Sequence, residues 1–219
     1  MSNVIRAPEP SLRNQPTSIN VGGQNIKVLM NLRFPRIVVF ENFMSPSECE
    51  FLIRMSKPNL KRSSVMTKDG SGTEINEVRT SESCAFPRSD NAFIATLDAR
   101  AAELCNWPVE RGEAYQVLRY QEGEQYKPHY DFFMPRADAH PPGPGGQRVG
   151  TLIIYLNTPE QGGSTVFPEI GMEIKPSAGS AILFSYPNLF YARNTLHAGL
   201  PVIAGEKWIA TKWFREGVH

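Results

Sequence analysis

Apolar and polar positions change rhythm along the chain, and the rhythm predicts its elements. The first regular run, Pro35-Arg36-Ile37-Val38-Val39-Phe40, is short and β-branched, as a strand requires. Ser45-Pro46-Ser47-Glu48 then puts a capping serine before a first-turn proline, with a glutamate at the third helical position. A helix therefore starts there, with Phe51, Leu52 and Met55 on its apolar face. A second helix is predicted from a cap near Asp90, because Phe93, Ile94, Leu97, Ala101 and Leu104 recur at helical spacing. From Ala114 the pattern shortens to strands divided by turns, over 115–120, 148–156, 164–167, 172–174, 180–186 and 208–214. Many short strands after two helices predict a mainly β, α+β fold, a closed or sandwiched β core with helices packed outside it.

The remaining segments lack period. Residues 1–33 carry Arg6, Arg13, Lys27 and Arg33 against Glu9 alone and read as a loosely ordered, solvated arm with one short strand near Ile26 to Leu32; 34–219 is then a single domain. Residues 61–83 are polar and contain Lys68-Asp69-Gly70-Ser71-Gly72, which predicts a long surface loop. Residues 134–147 are too rich in Pro and Gly for a strand and read as a mobile crossing loop. Long loops in compact domains often act as lids, and both are expected to do so.

Composition narrows the classes. Of 219 residues, 41% are hydrophobic and 21% charged, with Lys+Arg at 23 against Asp+Glu at 22, which excludes a disordered polyelectrolyte and leaves no charge excess to steer nucleic acid. No apolar run approaches the ~20 residues that span a bilayer, and the first residues lack an apolar leader, so a cytoplasmic protein without membrane contact is expected, monomer or dimer. Cys49, Cys84 and Cys105 are odd in number and form no CxxC, which argues for reduced thiols over disulfides or a Cys-rich zinc site.

Candidate chemistry centres on few residues. His129 lies two before Asp131, and on an extended strand those side chains share a face. A hydrogen-bonded pair is the plain reading of His-x-Asp. His197, in Asn194-Thr195-Leu196-His197-Ala198-Gly199, supplies a third ligand if its strand lies beside the first. Two imidazoles and one carboxylate leave three positions of an octahedral ion open, the arrangement of non-haem Fe(II) oxygenases. Lys207 follows ten residues after His197 and opens an apolar strand, where a long-stemmed ammonium suits the distal carboxylate of 2-oxoglutarate; a solvated surface charge is the other reading. A zinc hydrolase would also use two histidines and a carboxylate, but leaves Lys207 without a role, and a metal-free jelly-roll binding module would need none of the four.

Four linked elements carry a resemblance: Tyr120-x-x-Gly123-x-x-Tyr126-x-x-His129-x-Asp131, Arg148-x-x-Thr151-x-x-x-Tyr155-Leu156, Gly162-Gly163-x-Thr165, and His197 followed by Lys207-Trp208 and Trp213. In this order the chain, from about Pro35 to Gly217, resembles the catalytic domain of prolyl 4-hydroxylases, in the Fe(II)/2-oxoglutarate dioxygenase superfamily. The resemblance implies a distorted jelly roll, or double-stranded β-helix, with His129, Asp131 and His197 as iron ligands. It implies Lys207, Tyr120, Thr165 and Tyr155 around 2-oxoglutarate, dioxygen as co-substrate and ascorbate as reductant. It also implies a proline-containing peptide or protein as substrate, hydroxylated at C4 as 2-oxoglutarate becomes succinate and CO2. Glu113, Tyr126, Arg148, Trp213, Arg215 and the segment Arg79-Thr80-Ser81 match peptide-binding positions of plant and algal-type members, with Tyr126 and Trp213 as an aromatic wall and Arg148 donating to peptide carbonyls. Arg215 departs from the algal-type pattern, where a histidine stands, so a peptide preference does not carry over. Another side chain, or free proline, is the alternative substrate.

Overall fold

The structure is a computed structural model that describes residues 6–66, 73–74, 77–134, 143–187 and 192–219, with backbone alone at 65–66 and 73–74. The chain runs β1 (Ser18–Val21), β2 (Gln24–Leu32), β3 (Arg36–Glu41), α1 (Pro46–Ser56), β4 (Lys61–Arg62), β5 (Val65–Met66), β6 (Thr73–Glu74), β7 (Glu82–Phe86) and α2 (Ala92–Cys105). It continues through β8 (Tyr115–Tyr120), β9 (Tyr126–His129), β10 (Arg148–Tyr155), β11 (Gln161–Gly162), β12 (Thr165–Phe167), β13 (Met172–Ile174), β14 (Ala181–Ser185), β15 (His197–Gly199), β16 (Val202–Ala204) and β17 (Lys207–Arg215). Nine strands form one sheet in the order β1-β2-β3-β14-β10-β17-β8-β7-β4, and four form a second, β13-β12-β15-β9.

The two helices bear out the capping signals. Ser45 Oγ accepts from the Glu48 amide and the Glu48 carboxylate accepts from the Ser45 amide, closing the capping box around Pro46. The second helix is capped by Asn91, one residue beyond the predicted Asp90, because the Asn91 side-chain oxygen accepts from both the Phe93 and Ile94 amides.

Alternation along the central strands sorts side chains between two cores. On β10, Leu152 and Ile154 pack with Leu97, Ala101 and Leu104 of α2, while Ile153 and Tyr155 join Phe167, Phe184 and Tyr186 between the two sheets. On β17, Trp208 and Ala210 face the helices, whereas Ile209 faces the inter-sheet core. Both faces are covered, so these strands read as continuous apolar runs.

Two expectations need correction. Residues 6–33 are not a loose arm. β1 and β2 pair through the turn at Gly22-Gly23, both at positive φ (54° and 79°), and extend the large sheet, with Val21 and Ile26 buried. Ahead of them, Glu9 holds Arg36 of β3 through two hydrogen bonds and its amide donates to the Cys105 carbonyl. Nor are residues 61–83 simply a loop: β4 pairs with β7, the Ser63 and Ser81 hydroxyls meet at 2.9 Å, and β5 pairs with β6. Their tip, 67–72 and 75–76, lies outside the described residues, as do 135–142 of the second expected lid. The returning limb docks against β9: Lys127 donates to the Val78 carbonyl and the Thr80 amide to the Gln125 carbonyl.

Candidate active site

Antiparallel pairing of β15 with β9 sets His197 directly across from His129, with ring centroids 4.3 Å apart. Asp131 joins them for a reason other than strand alternation, because β9 ends at His129 and Asp131 lies in the bend beyond. Two neighbours hold that bend: Thr151 Oγ1 donates to Asp131 Oδ2 at 2.9 Å, and Arg148 Nη1 donates to the Asp131 carbonyl at 3.2 Å. His129 Nε2 then stands 3.6 Å from Oδ1, His197 Nε2 3.6 Å from Oδ2, and one ligand atom from each residue falls within 4.8 Å of the others.

The donor set fits a divalent transition metal. Each Nδ1 faces a backbone carbonyl, Lys127 O at 2.8 Å for His129 and Thr195 O at 2.9 Å for His197. A carbonyl only accepts, so the ring hydrogen sits on Nδ1 and the Nε2 lone pair turns toward the cluster. Burial, then the neighbouring His129, pushes His197 down to about 4, which leaves it neutral and able to ligate at physiological pH. Burial alone would raise Asp131, yet the two imidazoles and Arg148 hold its carboxyl well below the usual range. Two neutral imidazoles and one carboxylate are the facial donor set of non-haem Fe(II) oxygenases.

Across the cavity lies Lys207, 2% exposed. Its strand register places it opposite Tyr120 on β8, and its Nζ sits 5.5 Å from the Tyr120 ring centre and 5.7 Å from that of Tyr155. Gly163 makes the stem's path possible, since a Cβ there would stand 3.1 Å from Lys207 Cδ at a backbone φ of +70°. Among the described residues no carboxylate pairs with Lys207, and burial alone pulls it down to about 7. An ammonium in that position lacks only an anion.

Arg79, Tyr120, Tyr126, Thr165 and Trp213 line the same cavity as the three ligands and Lys207. Tyr155 stands behind this wall: its hydroxyl donates to Thr165 Oγ1 at 2.6 Å, which frees the Thr165 hydrogen to point into the cavity. The Ser81 and Arg79 side chains lie beside the Tyr120 hydroxyl, Arg79 within the cavity lining and Ser81 outside it. Tyr126 stacks on His129 at 3.5 Å and carries the Arg79 guanidinium on its ring at 4.9 Å.

Arg148, expected to reach peptide carbonyls, commits three of its five N–H donors within the protein and lies outside the cavity lining. Its Nε and Nη2 each donate to Glu113 at 2.8 Å, and its guanidinium lies 4.1 Å from the centre of the Trp213 ring system. Arg215 donates to the same Glu113 oxygen at 3.0 Å. Glu113, Arg148 and Arg215 thus form one ion cluster backing Trp213 and Asp131, outside the cavity lining. Three participants escaped the sequence reading. Thr151 appeared only as a motif letter, Tyr186 bonds the Thr151 hydroxyl at 2.7 Å, and the Gln147 side chain bonds both the amide and the carbonyl of Phe133. None carries a local signal, because each partner is distant in the chain.

A jelly roll of two antiparallel sheets enclosing a His/Asp/His cluster is the architecture of the 2-oxoglutarate-dependent oxygenases, and the family model described as 2OG-Fe(II) oxygenase superfamily matches residues 115–215. The chain is 36% identical over 206 residues to Probable prolyl 4-hydroxylase 3 of Arabidopsis thaliana, covering 84% of this chain and 71% of that protein. It is 35% identical to Prolyl 4-hydroxylase 5 of the same plant, covering 98% and 78%. Among solved structures, the 2OG complex of the viral collagen prolyl hydroxylase vCPH from Paramecium Bursaria Chlorella virus-1 superposes with a TM-score of 0.63 at 30% identity, covering 82% of this chain and 95% of that one. This chain belongs to the prolyl 4-hydroxylase family of 2OG-Fe(II) oxygenases. It is a 2-oxoglutarate-dependent dioxygenase whose cofactor is Fe(II), and its His129, Asp131 and His197 fit that ion.

Proposed function

We propose that this chain hydroxylates prolyl residues, at C4, in a peptide or protein. The observation that carries the reading is the pairing, in one cavity, of a metal-ligating triad with a buried ammonium that has no carboxylate partner among the described residues. Relatives named prolyl 4-hydroxylases supply the prolyl target. Fe(II) with bound 2-oxoglutarate supplies the oxidation: one atom of O2 enters succinate as CO2 is lost, and the other becomes the substrate hydroxyl.

The chain's own residues bind, orient and exclude water. Lys207 pairs with the distal carboxylate of 2-oxoglutarate, and the free Thr165 hydrogen donates to the same group. His129 and His197 each hold Nδ1 against a backbone carbonyl and turn Nε2 toward the Asp131 carboxylate, so the three would hold an ion that keeps positions open to the co-substrate. Tyr126 and the half-buried Trp213 offer flat apolar surface to a pyrrolidine ring beside the metal site, with Arg79 next to them as a donor for peptide carbonyls. The limb 77–81, docked on β9, carries Arg79 to the cavity wall beside the peptide. Ascorbate serves as the reductant that keeps the iron ferrous, and the three free thiols suit a reducing, cytoplasmic location. No helix among the described residues is long and apolar enough to cross a membrane.

The test is a mass-spectrometric screen of proline-containing peptides with Fe(II), 2-oxoglutarate and ascorbate. One added oxygen on a prolyl residue, matched by succinate and dependent on 2-oxoglutarate, is expected. Oxygen added only to another residue type would assign a different substrate.

A further inference from the structure

A chain of hydroxyls runs from the inter-sheet core to the aspartate of the triad. Thr151 Oγ1 donates to Asp131 Oδ2 at 2.9 Å, and that bond uses its single hydrogen. The Tyr186 hydroxyl, 2.7 Å from the same Oγ1, must then donate to it. Every proton in the sequence Tyr186 to Thr151 to Asp131 Oδ2 has one direction. Thr151 is 0% and Tyr186 2% exposed, so no water competes for these bonds, and Tyr186 is fixed by Phe132 at 5.4 Å and Phe184 at 5.9 Å between ring centres. Each carboxylate oxygen stands 3.6 Å from one imidazole Nε2, Oδ1 from His129 and Oδ2 from His197, and among the described residues only Oδ2 also receives a hydroxyl, so the Thr151 bond is what distinguishes the two.

We propose that Tyr186 and Thr151 are positioning residues that hold the Asp131 carboxylate to the metal through one oxygen, Oδ1. The inference rests on the reading of His129, Asp131 and His197 as the metal site. Its consequence is a count of ligands. Two imidazoles and one carboxylate oxygen would occupy three of the six positions of an octahedral ion, and a chelating 2-oxoacid would take two more, leaving one open. A carboxylate that swung to bind through both oxygens would fill it. Thr151, by engaging Oδ2, opposes that swing, and Tyr186, by saturating Thr151, keeps its hydrogen aimed at Asp131. Hydrogen bonds to metal ligands of this kind are worth about 10- to 100-fold in metal affinity.

The experiment uses the full chain loaded with Co(II), whose visible ligand-field spectrum reports coordination number, with folding followed by circular dichroism. Thr151→Val keeps the shape and removes the donor. It is expected to weaken Co(II) binding about 10- to 100-fold and to change the ligand-field bands, with Thr151→Ser restoring both. Tyr186→Phe deletes only the far hydroxyl and is expected to give the same spectral change at smaller amplitude, in a protein that remains folded; it carries the test if Thr151→Val does not fold. Wild-type affinity and unchanged bands in Tyr186→Phe and in folded Thr151→Val would overturn the proposal. Asp131→Ala is the control on the underlying site: if it binds Co(II) as wild type does, the metal-site reading itself fails, which is a separate outcome from an inert Thr151 or Tyr186.

Discussion

Binding of 2-oxoglutarate should take up a proton at Lys207. In the free protein burial pulls this lysine down to about 7, so at pH 8 about nine in ten molecules carry it neutral and at pH 6 about one in ten. A carboxylate placed against the amine restores the charged form. The apparent Kd for 2-oxoglutarate should therefore rise about tenfold between pH 6 and pH 8, with close to one proton absorbed per molecule bound at the higher pH. His197, titrating at about 4, does not contribute in this window. Isothermal titration of the Mn(II)-loaded protein, in two buffers of different ionisation enthalpy, reads the proton directly. The same lysine sets a stability slope. The unfolded chain keeps its proton up to 10.5 and the folded apoprotein loses it near 7, so the contribution of this lysine to stability should rise with pH across that interval, by roughly 5 kcal/mol in all. Lys207→Met should remove that contribution from the difference between variant and wild type, raise the apoprotein Tm at pH 7 and abolish the stabilisation that 2-oxoglutarate gives the wild type. Equal Kd at pH 6 and pH 8, with no buffer-dependent heat, would refute the reasoning.

Asp131→Ala should abolish succinate formation and leave the circular dichroism spectrum intact; turnover at the wild-type rate would remove Asp131 from the metal site. Glu113→Ala strands the half-buried Arg148 and the buried Arg215 guanidiniums and should cost about 3–5 kcal/mol in urea unfolding, whereas a loss below 1 kcal/mol, the scale of an exposed pair, would mean the cluster is solvated. On the opposite face of β17, Lys212 and Asp98 form a buried pair at 2.5 Å. Lys212→Met alone should destabilise by a similar amount and Lys212→Met with Asp98→Leu by much less, because the double variant leaves no isolated charge. A double-mutant cycle showing simple additivity would contradict that.

Where local pattern determines the outcome, the sequence was a good guide. β8 and β13 match their predicted limits because alternation and flanking turns define them, and α1 starts at its capping box. The four chemical residues His129, Asp131, His197 and Lys207 were legible as types suited to one job, and the pairing of β9 with β15 brings the first and third together. Other features were invisible because they depend on distant partners. Gly22-Gly23 reads equally as loop punctuation or hairpin turn, and only the pairing of β2 with β3 decides between them. The polar run 61–83 hides β4, whose partner is β7, and β5 and β6, which pair with each other. That Arg148 gives two of its N–H donors to Glu113, 35 residues away, has no local signal. Asp131 reaches the cluster through Thr151 and Arg148, since its own strand has already ended.

The most direct measurement is an anaerobic titration of the Fe(II)-loaded protein with 2-oxoglutarate, followed by visible absorption. A metal-to-ligand charge-transfer band should grow to saturation in the wild type, fail in His197→Ala for want of bound iron, and require far more 2-oxoglutarate in Lys207→Met. No band in the wild type, or the same half-saturation with and without the lysine, would contradict a shared cavity in which the triad binds iron and Lys207 holds the co-substrate.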